Sequence, residues 1–315
     1  MIHAFDVMVA GELYVDMIMS GFEFWPQPGR EAFAQAYRRE IGGGAAITAC
    51  GLAKLGSRTS VLAVAGYDSG DWIIDRLKHN RVDTSRIRLD ANEPTGFTVV
   101  ATSPEDRAFL TYAGANRNFP AALMDAAMTK EISGARHIHL GFAPCLDTAD
   151  ALFDAIWESG CTVSLDAGWH QSWLKDPRAM ALLAKIDIFF PNEVEAHAMT
   201  GEDDPLNALQ AFAAAGIERV ALKLGCRGAA LLWQGDIWFA TGRTVTLLDT
   251  TGAGDCFDAG FLHAWLKGEP PEICLLTGNI CGANSTEGYG GLSGFPTADH
   301  VAQELSRGPS CVRWP

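Results

Sequence analysis

No stretch of 18 uncharged apolar residues occurs in this chain of 315 residues, so the sequence offers no candidate for a membrane-spanning helix. The eight cysteines, at positions 50, 145, 161, 226, 256, 274, 281 and 311, form no C-x-x-C pair and have no histidine at metal-ligand spacing. Neither a zinc site nor a disulfide framework is expected, and the thiols read as reduced and mostly buried. Basic charge is scarce: 24 Lys and Arg stand against 38 Asp and Glu, a formal net charge of −14 with no long basic block. A polyanion would meet general repulsion, so nucleic acid is not an expected partner. The phosphate loop G-x-x-x-x-G-K-[ST], a G-x-G-x-x-G after the first strand and a G-x-S-x-G elbow are all missing. A P-loop enzyme, a dinucleotide dehydrogenase and an elbow-type serine hydrolase thereby lose their main evidence. There is no internal repeat, low-complexity tract or linker, and the first apolar stretch has acids inside it and no basic leader. One domain over residues 1–315, with no membrane partner and a cytoplasmic location, is the expectation.

Apolar residues make up 48% of the chain, enough for a substantial core. Short β-type runs at 6–10, 60–65, 137–140, 162–166, 187–190 and 219–224 alternate with longer helical patterns, which predicts a mostly parallel sheet covered by helices on both faces. Beyond 224 the texture changes. Runs at 229–233, 237–240 and 244–248 follow one another across tight turns and predict an antiparallel extension at one sheet edge. Two segments break the alternation, about 13–40 and about 95–116, and the second alternates around Ser103-Pro104-Glu105-Asp106 as a hairpin does. Both read as strands of a small lid.

The strongest chemical signal is Asp249-Thr250-Thr251-Gly252-Ala253-Gly254-Asp255-Cys256-Phe257-Asp258-Ala259-Gly260-Phe261. Phe257, Phe261, Ala264 and Trp265 recur at helical spacing, so a Gly-rich turn opens directly into a helix. Backbone N–H groups at such a start can meet the charge of a transferring phosphoryl group, and Asp255 beside them can take a proton from an attacking hydroxyl. The tetrapeptide G-A-G-D alone decides little, but the whole run resembles the C-terminal signature of the ribokinase-like (PfkB) carbohydrate kinases.

Ile41-Gly42-Gly43-Gly44-Ala45-Ala46 is similar to that family's glycine segment, and Asp16, five residues after Gly11, matches its substrate-binding acid. Pro94-Thr95-Gly96 and Tyr112-Ala113-Gly114-Ala115-Asn116 look like its lid strands and the return from them. Asn192-Glu193-Val194-Glu195 resembles its N-x-x-E motif, although in isolation the commoner meaning of the string is a capped helix with an acidic first turn. Lys223-Leu224-Gly225-Cys226-Arg227-Gly228-Ala229 resembles its strand-end turn, and Asn279, Ala283 and Gly288 occupy its adenine-facing segment. The resemblance implies a three-layer α/β/α fold with a β lid and a kinase that uses ATP. It assigns catalysis to Asp255 with Gly252, Ala253 and Gly254, and substrate binding to Asp16, Gly42, Gly43 and Asn116. Nucleotide contacts fall to Asn192, Lys223, Gly225, Gly228, Asn279 and Ala283. It also implies water-held Mg²⁺ at Asn192 and Glu195, possible K⁺ at Asp249 and Thr251, and a homodimer through the lid.

Three departures leave the acceptor open. Ile47 stands where the family has an asparagine; the D-x-N-x-R motif becomes Asp166-Ala167-Gly168-Trp169-His170; and Gly66-Tyr67-Asp68-Ser69-Gly70 is one residue short of G-x-D-x-x-G. A nucleoside acceptor, with Ile47, Trp169 and Phe142 lining a base pocket, is the alternative. A sensor that binds without turnover is the third reading, and the retained Asp255, Asn192 and Glu195 argue against it.

Overall fold

The computed structural model describes residues 3–102, 107–308 and 311–313. In chain order its strands are β1 (Phe5–Gly11), β2 (Tyr14–Ser20), β3 (Ala36–Gly42), β4 (Thr59–Gly66), β5 (Asp83–Asp90), β6 (Gly96–Thr102), β7 (Arg107–Tyr112), β8 (Ala135–Gly141), β9 (Thr162–Leu165), β10 (Ile188–Phe189), β11 (Arg219–Lys223), β12 (Gly228–Trp233), β13 (Asp236–Thr241) and β14 (Cys311–Arg313). Ten of them form one sheet in the order β14-β13-β12-β11-β10-β9-β8-β1-β4-β5. Pairing is parallel from β5 to β11 and antiparallel from β11 to β14.

Period-2 alternation along the central strands divides the core. In β1, Met8 and Ala10 point to one face while Val7 and Val9 point to the other, and Leu62 and Val64 oppose Val61 and Ala63 in β4. The first face is covered by helices that include Phe119–Met128, Ala149–Glu158 and Pro205–Ala214, the second by Gly44–Lys54, Ala253–Leu266 and Pro271–Ser285. This is the three-layer α/β/α arrangement expected from the alternation. Helices Ala253–Leu266 and Pro271–Ser285 pack backbone to backbone: a Cβ on Gly260 would lie 2.7 Å from the Thr277 carbonyl oxygen.

The remaining strands form the lid, a separate sheet in the order β3-β2-β6-β7, with β2 and β6 parallel and the outer pairs antiparallel. The expected turn at Ser103–Asp106 lies outside the described residues, but the hairpin it implies is present as β6 and β7.

One expected strand is absent. Residues 244–248 run as irregular chain because their backbone groups bond to a helix end instead of a ladder: Thr246 N–H donates to Glu287 Oε1 (3.0 Å) and Leu248 N–H to the Thr286 carbonyl (2.8 Å). The antiparallel edge is completed by β14 from the far end of the chain. On the opposite edge β5, whose polar alternation hides it, adds a strand not expected from the sequence.

Candidate active site

The Gly-rich turn has the geometry its sequence implies. Gly252 caps the helix with φ 70° and ψ 9°, in the left-handed region, and a Cβ there would lie 2.7 Å from Ile47 Cδ1 and 3.0 Å from Gly291 Cα. Only glycine satisfies both demands. The Ala253 N–H turns back to the Thr250 carbonyl (3.2 Å), whereas no described group accepts from the first-turn N–H of Gly254. Asp255 is the third residue of this helix. Its carboxylate lies against Gly44, where a Cβ would come within 2.5 Å of Oδ1, and Thr48 Oγ1 donates to its carbonyl at 3.2 Å. Two helix starts, at Gly44 and Ala253, therefore converge on one carboxylate. Burial, then the charge of Asp166, raises the Asp255 pKa to about 7 against the opposing pull of Lys223.

Lys223, at the end of β11, forms the electrostatic centre. Its Nζ lies 2.6 Å from Asp166 Oδ2 and 3.3 Å from Asp258 Oδ1, and a Cβ on Gly254 would sit 3.4 Å from it. Burial alone would discharge this ammonium, but the carboxylate of Asp166 beside it holds it charged. Asp258, fully enclosed one turn beyond Asp255, is driven far above the usual carboxyl range by burial. It keeps its proton and donates it to Asp166, whose own pKa falls to about 2 because Lys223 and this hydrogen bond outweigh burial. Neither Asp166 nor Asp258 was expected as a site residue. The available signal was an acid inside the apolar run Cys-Phe-Asp-Ala-Gly-Phe, since an enclosed carboxylate demands a partner.

Asn192 and Glu195 form a reciprocal capping box. Glu195 N–H donates to Asn192 Oδ1 (3.0 Å), Asn192 N–H to Glu195 Oε2 (2.9 Å), and Asn192 Nδ2 to Glu195 Oε1 (2.8 Å). The capped-helix reading thus holds, and it also fixes the pair on the wall of a cavity. Burial, then Asp166, raises Glu195 to about 7.

Two cavities meet at the turn. One, of about 420 Å³, is bordered by Gly44, Asp166, Asn192, Glu195, Lys223 and the stretch Gly252 to Asp255. The other, of about 530 Å³, is bordered by Gly225, Gly228, Phe257, Asn279, Ala283 and the irregular segment near Leu247. Lys223, Gly225, Thr250, Ala253 and Gly254 belong to both. Asn279 also anchors the chain, donating from Nδ2 to the Thr241 carbonyl at 2.8 Å. Gly288 does not reach this wall; it packs against Ser293 and Gly294, where a Cβ would meet Ser293 Oγ at 2.3 Å.

At the base of the lid, Asp16 rests on Gly42, where a Cβ would come within 2.2 Å of Oδ1, and Gly43 (φ 90°) leaves room for the Glu12 carbonyl. Burial, then Asp249 and Glu40, raise Asp16 to about 6. Asn116, expected as a substrate contact, is held by the backbone beside this group. It is 2% exposed, and its amide holds the Leu13 backbone from both sides, Oδ1 accepting at 3.1 Å and Nδ2 donating at 2.9 Å. It clamps the chain at the start of β2. Asp249 Oδ1 accepts from Thr251 N–H (2.9 Å) and Oγ1 (2.7 Å), and Oδ2 from Gly290 N–H (2.9 Å), tying the turn to the segment that packs on Gly252. The three residues expected to form a base pocket are dispersed among other contacts: Ile47 fills the space behind Gly252, Phe142 stacks edge-on against Phe119 (4.8 Å), and Trp169 is exposed.

Comparison with known proteins gives a consistent result. The sequence model of the pfkB family of carbohydrate kinases matches residues 4–298. The chain is 30% identical over 285 residues to a 2-dehydro-3-deoxygluconokinase of Bacillus subtilis, covering 86% of this chain and 88% of that one. It is 28% identical to a ribokinase of Haemophilus influenzae, covering 94% and 97%. Among solved structures, the ribokinase of Arabidopsis thaliana complexed with ribose and ATP superposes with a TM-score of 0.80 at 26% identity, covering 96% and 99%. No described helix is long and apolar enough to cross a membrane.

Proposed function

From the premise that the chain belongs to the pfkB family of carbohydrate kinases, we propose that Asp255 takes the proton of an acceptor hydroxyl while the γ-phosphoryl group of ATP crosses the smaller of the two cavities. The protein is an ATP-dependent phosphotransferase acting on a hydroxyl of a sugar or sugar-like molecule. The observation that carries the residue-level reading is the shared border of the two cavities, where Lys223, Gly254 and Ala253 face both and Asp255 faces only the transfer side. ATP would lie along Gly225, Gly228, Asn279 and Ala283, and the acceptor between Asp16, Gly42, Gly43 and Asp255. In the transfer step the acceptor oxygen forms a bond to the γ-phosphorus and loses its proton to Asp255; the bond from that phosphorus to the bridging oxygen breaks, and ADP leaves with the electron pair. The Gly254 N–H and the Lys223 ammonium meet the charge on the equatorial oxygens.

The donor set fits Mg²⁺. Asn192 and Glu195 offer oxygen ligands on the border of the transfer cavity, and an ion that keeps several waters needs only one carboxylate with an amide there. Asn192 and Glu195 would hold it through water, and it would neutralise phosphate charge. K⁺ is proposed near Asp249 and Thr251, where one carboxylate already organises the turn; equal rates in potassium and in a bulky organic cation would remove it. The homodimer is supported by exposed Tyr37, Phe109 and Leu110 on the lid, and light scattering tests it. ADP release from MgATP with a panel of sugars tests the activity as a whole; no release with any of them sinks the reading.

A further inference from the structure

A third cavity, of about 300 Å³, opens between lid strand β3, the helix Gly70–His79 and the segment from Tyr289 to Ser293, and it shares no bordering residue with the other two. That volume lies at the small end of ligand pockets, which run to about 300–1,000 Å³. Arg76, His79 and Asn80 border it from the helix end, Glu40 from the lid and Tyr289 from the segment. Two further guanidinium groups stand beside these residues. Arg38 lies over the Tyr289 ring (4.6 Å), and Arg39 over the ring of Trp72 (4.1 Å), which Arg76 also approaches (5.8 Å).

Stacking leaves each arginine its full charge. Glu40, the one acid on the border, accepts from Arg76 (3.1 Å) and answers one of the three. Arg38 and Arg39 are left over, with the His79 imidazole near them, in a chain whose formal net charge is −14. Asp16, opposite Glu40 in the lid register, and Asp249 do not border the cavity, and Asp249 spends its oxygens on Thr251 and Gly290. Donors are idle as well. Among the described residues nothing accepts a hydrogen bond from Arg38, and neither ring nitrogen of His79 has a partner. Like charges gathered in one place repel until an anion joins them, and a guanidinium fork matches the paired oxygens of a carboxylate or phosphate.

One wall of the cavity bears on the Gly-rich turn. Gly290 N–H donates to Asp249 Oδ2 (2.9 Å), the Cys256 thiol donates to the Gly291 carbonyl (2.9 Å), and Gly291 packs on Gly252. The lid meets that wall through Glu40, whose Cγ would lie 3.6 Å from a Cβ on Gly290. A ligand held here touches the lid, the body and the backing of the turn together.

We propose that this cavity is a second anion site, which takes the phosphate or carboxylate group of a small molecule on Arg76 and His79 with Arg38 at its rim, and that the bound anion ties β3 to the segment behind the turn.

Equilibrium dialysis of the full-length protein tests the site with two probes, inorganic phosphate and succinate, at fixed ionic strength and with a non-hydrolysable MgATP analogue saturating the two central cavities. One anion per chain should bind with a Kd of about 1 mM or tighter. Arg76→Gln should weaken it by at least about tenfold and His79→Gln by at least about threefold, with unchanged affinity for the analogue showing that the variants are folded. Phosphate alone, succinate alone or both bound identifies the group that the site takes. Amide hydrogen exchange in β3 and in residues 289–293 should slow when that anion is added to the parent protein, and not when it is added to Arg76→Gln. Binding of neither probe, or binding that both variants leave unmoved, overturns the proposal; a bound anion that leaves exchange in both segments unchanged overturns the tie between lid and turn. None of these readouts uses turnover, so their failure leaves the kinase reading standing.

Discussion

Replacing Asp255 with Asn should move activity and stability in opposite directions. The carboxyl is held at about 7 in place of 3.8 by burial, then by Asp166, with Glu195 adding to it. That difference corresponds to at most about 4 kcal/mol of cost for keeping the carboxylate ionised in the folded protein. The sign follows from linkage. The unfolded chain releases this proton near pH 4 and the folded protein near pH 7, so stability falls as pH rises across that window and the cost is complete above it. Contact with cavity water and local relaxation reduce it, and about 1–2 kcal/mol is expected in practice. Asn has no such cost. At roughly 1.5 °C per kcal/mol for a chain of 315 residues, Asp255→Asn should raise the Tm by about 2–3 °C at pH 8 and by less at pH 5. Without a base, turnover should fall by at least about 100-fold. Thermal melts at the two pH values, beside kcat with saturating MgATP, check both limbs. Turnover within threefold of the parent, or a Tm at pH 8 below it, would refute the assignment of Asp255 as a half-buried base of raised pKa.

Glu195→Gln should raise the Mg²⁺ concentration for half-maximal rate by several-fold before it lowers the maximal rate, read from metal titrations at fixed ATP. Lys223→Met leaves Asp166 enclosed without its counter-ion and should cost about 3–5 kcal/mol in denaturant unfolding, whereas Lys223→Met with Asp166→Asn should recover most of that stability but not turnover. Asn116→Leu cuts both bonds to the Leu13 backbone; it should raise the KM for the acceptor more than that for ATP, because the clamp sets the start of β2 and hence Asp16.

The parallel half of the sheet was legible because each strand there is buried on both faces and reads as a short apolar run between helices. The edges were not. β5 carries Asp, Arg, Arg and Asp in one strand because little covers it, and residues 244–248 look like a strand because Val245, Leu247 and Leu248 are apolar; Leu247 serves as cavity wall. Periodicity reports burial, and it cannot tell whether a backbone N–H will find a neighbouring strand or a helix C-terminus.

At the site, local strings located what lies on one turn, and long-range pairs escaped them. Gly252 to Asp255 is a continuous stretch, whereas Lys223, Asp166 and Asp258 meet from the ends of two strands and the interior of a helix. Two of the three departures from the family pattern acquire physical meaning once that meeting is visible. His170 replaces an arginine, but a cation is still present in the transfer cavity because Lys223 brings one from β11, anchored by Asp166 from the same eroded motif. Ile47 replaces an asparagine, but its side chain fills the space behind Gly252 and Gly291 and faces no open acceptor surface. A polar amide there would be enclosed against two glycine backbones and cost about 1–3 kcal/mol unless it found partners. The apolar choice therefore packs behind the turn that holds the Gly254 N–H, and under the proposed assignment the recognition of acceptor hydroxyls falls to Asp16 on the lid.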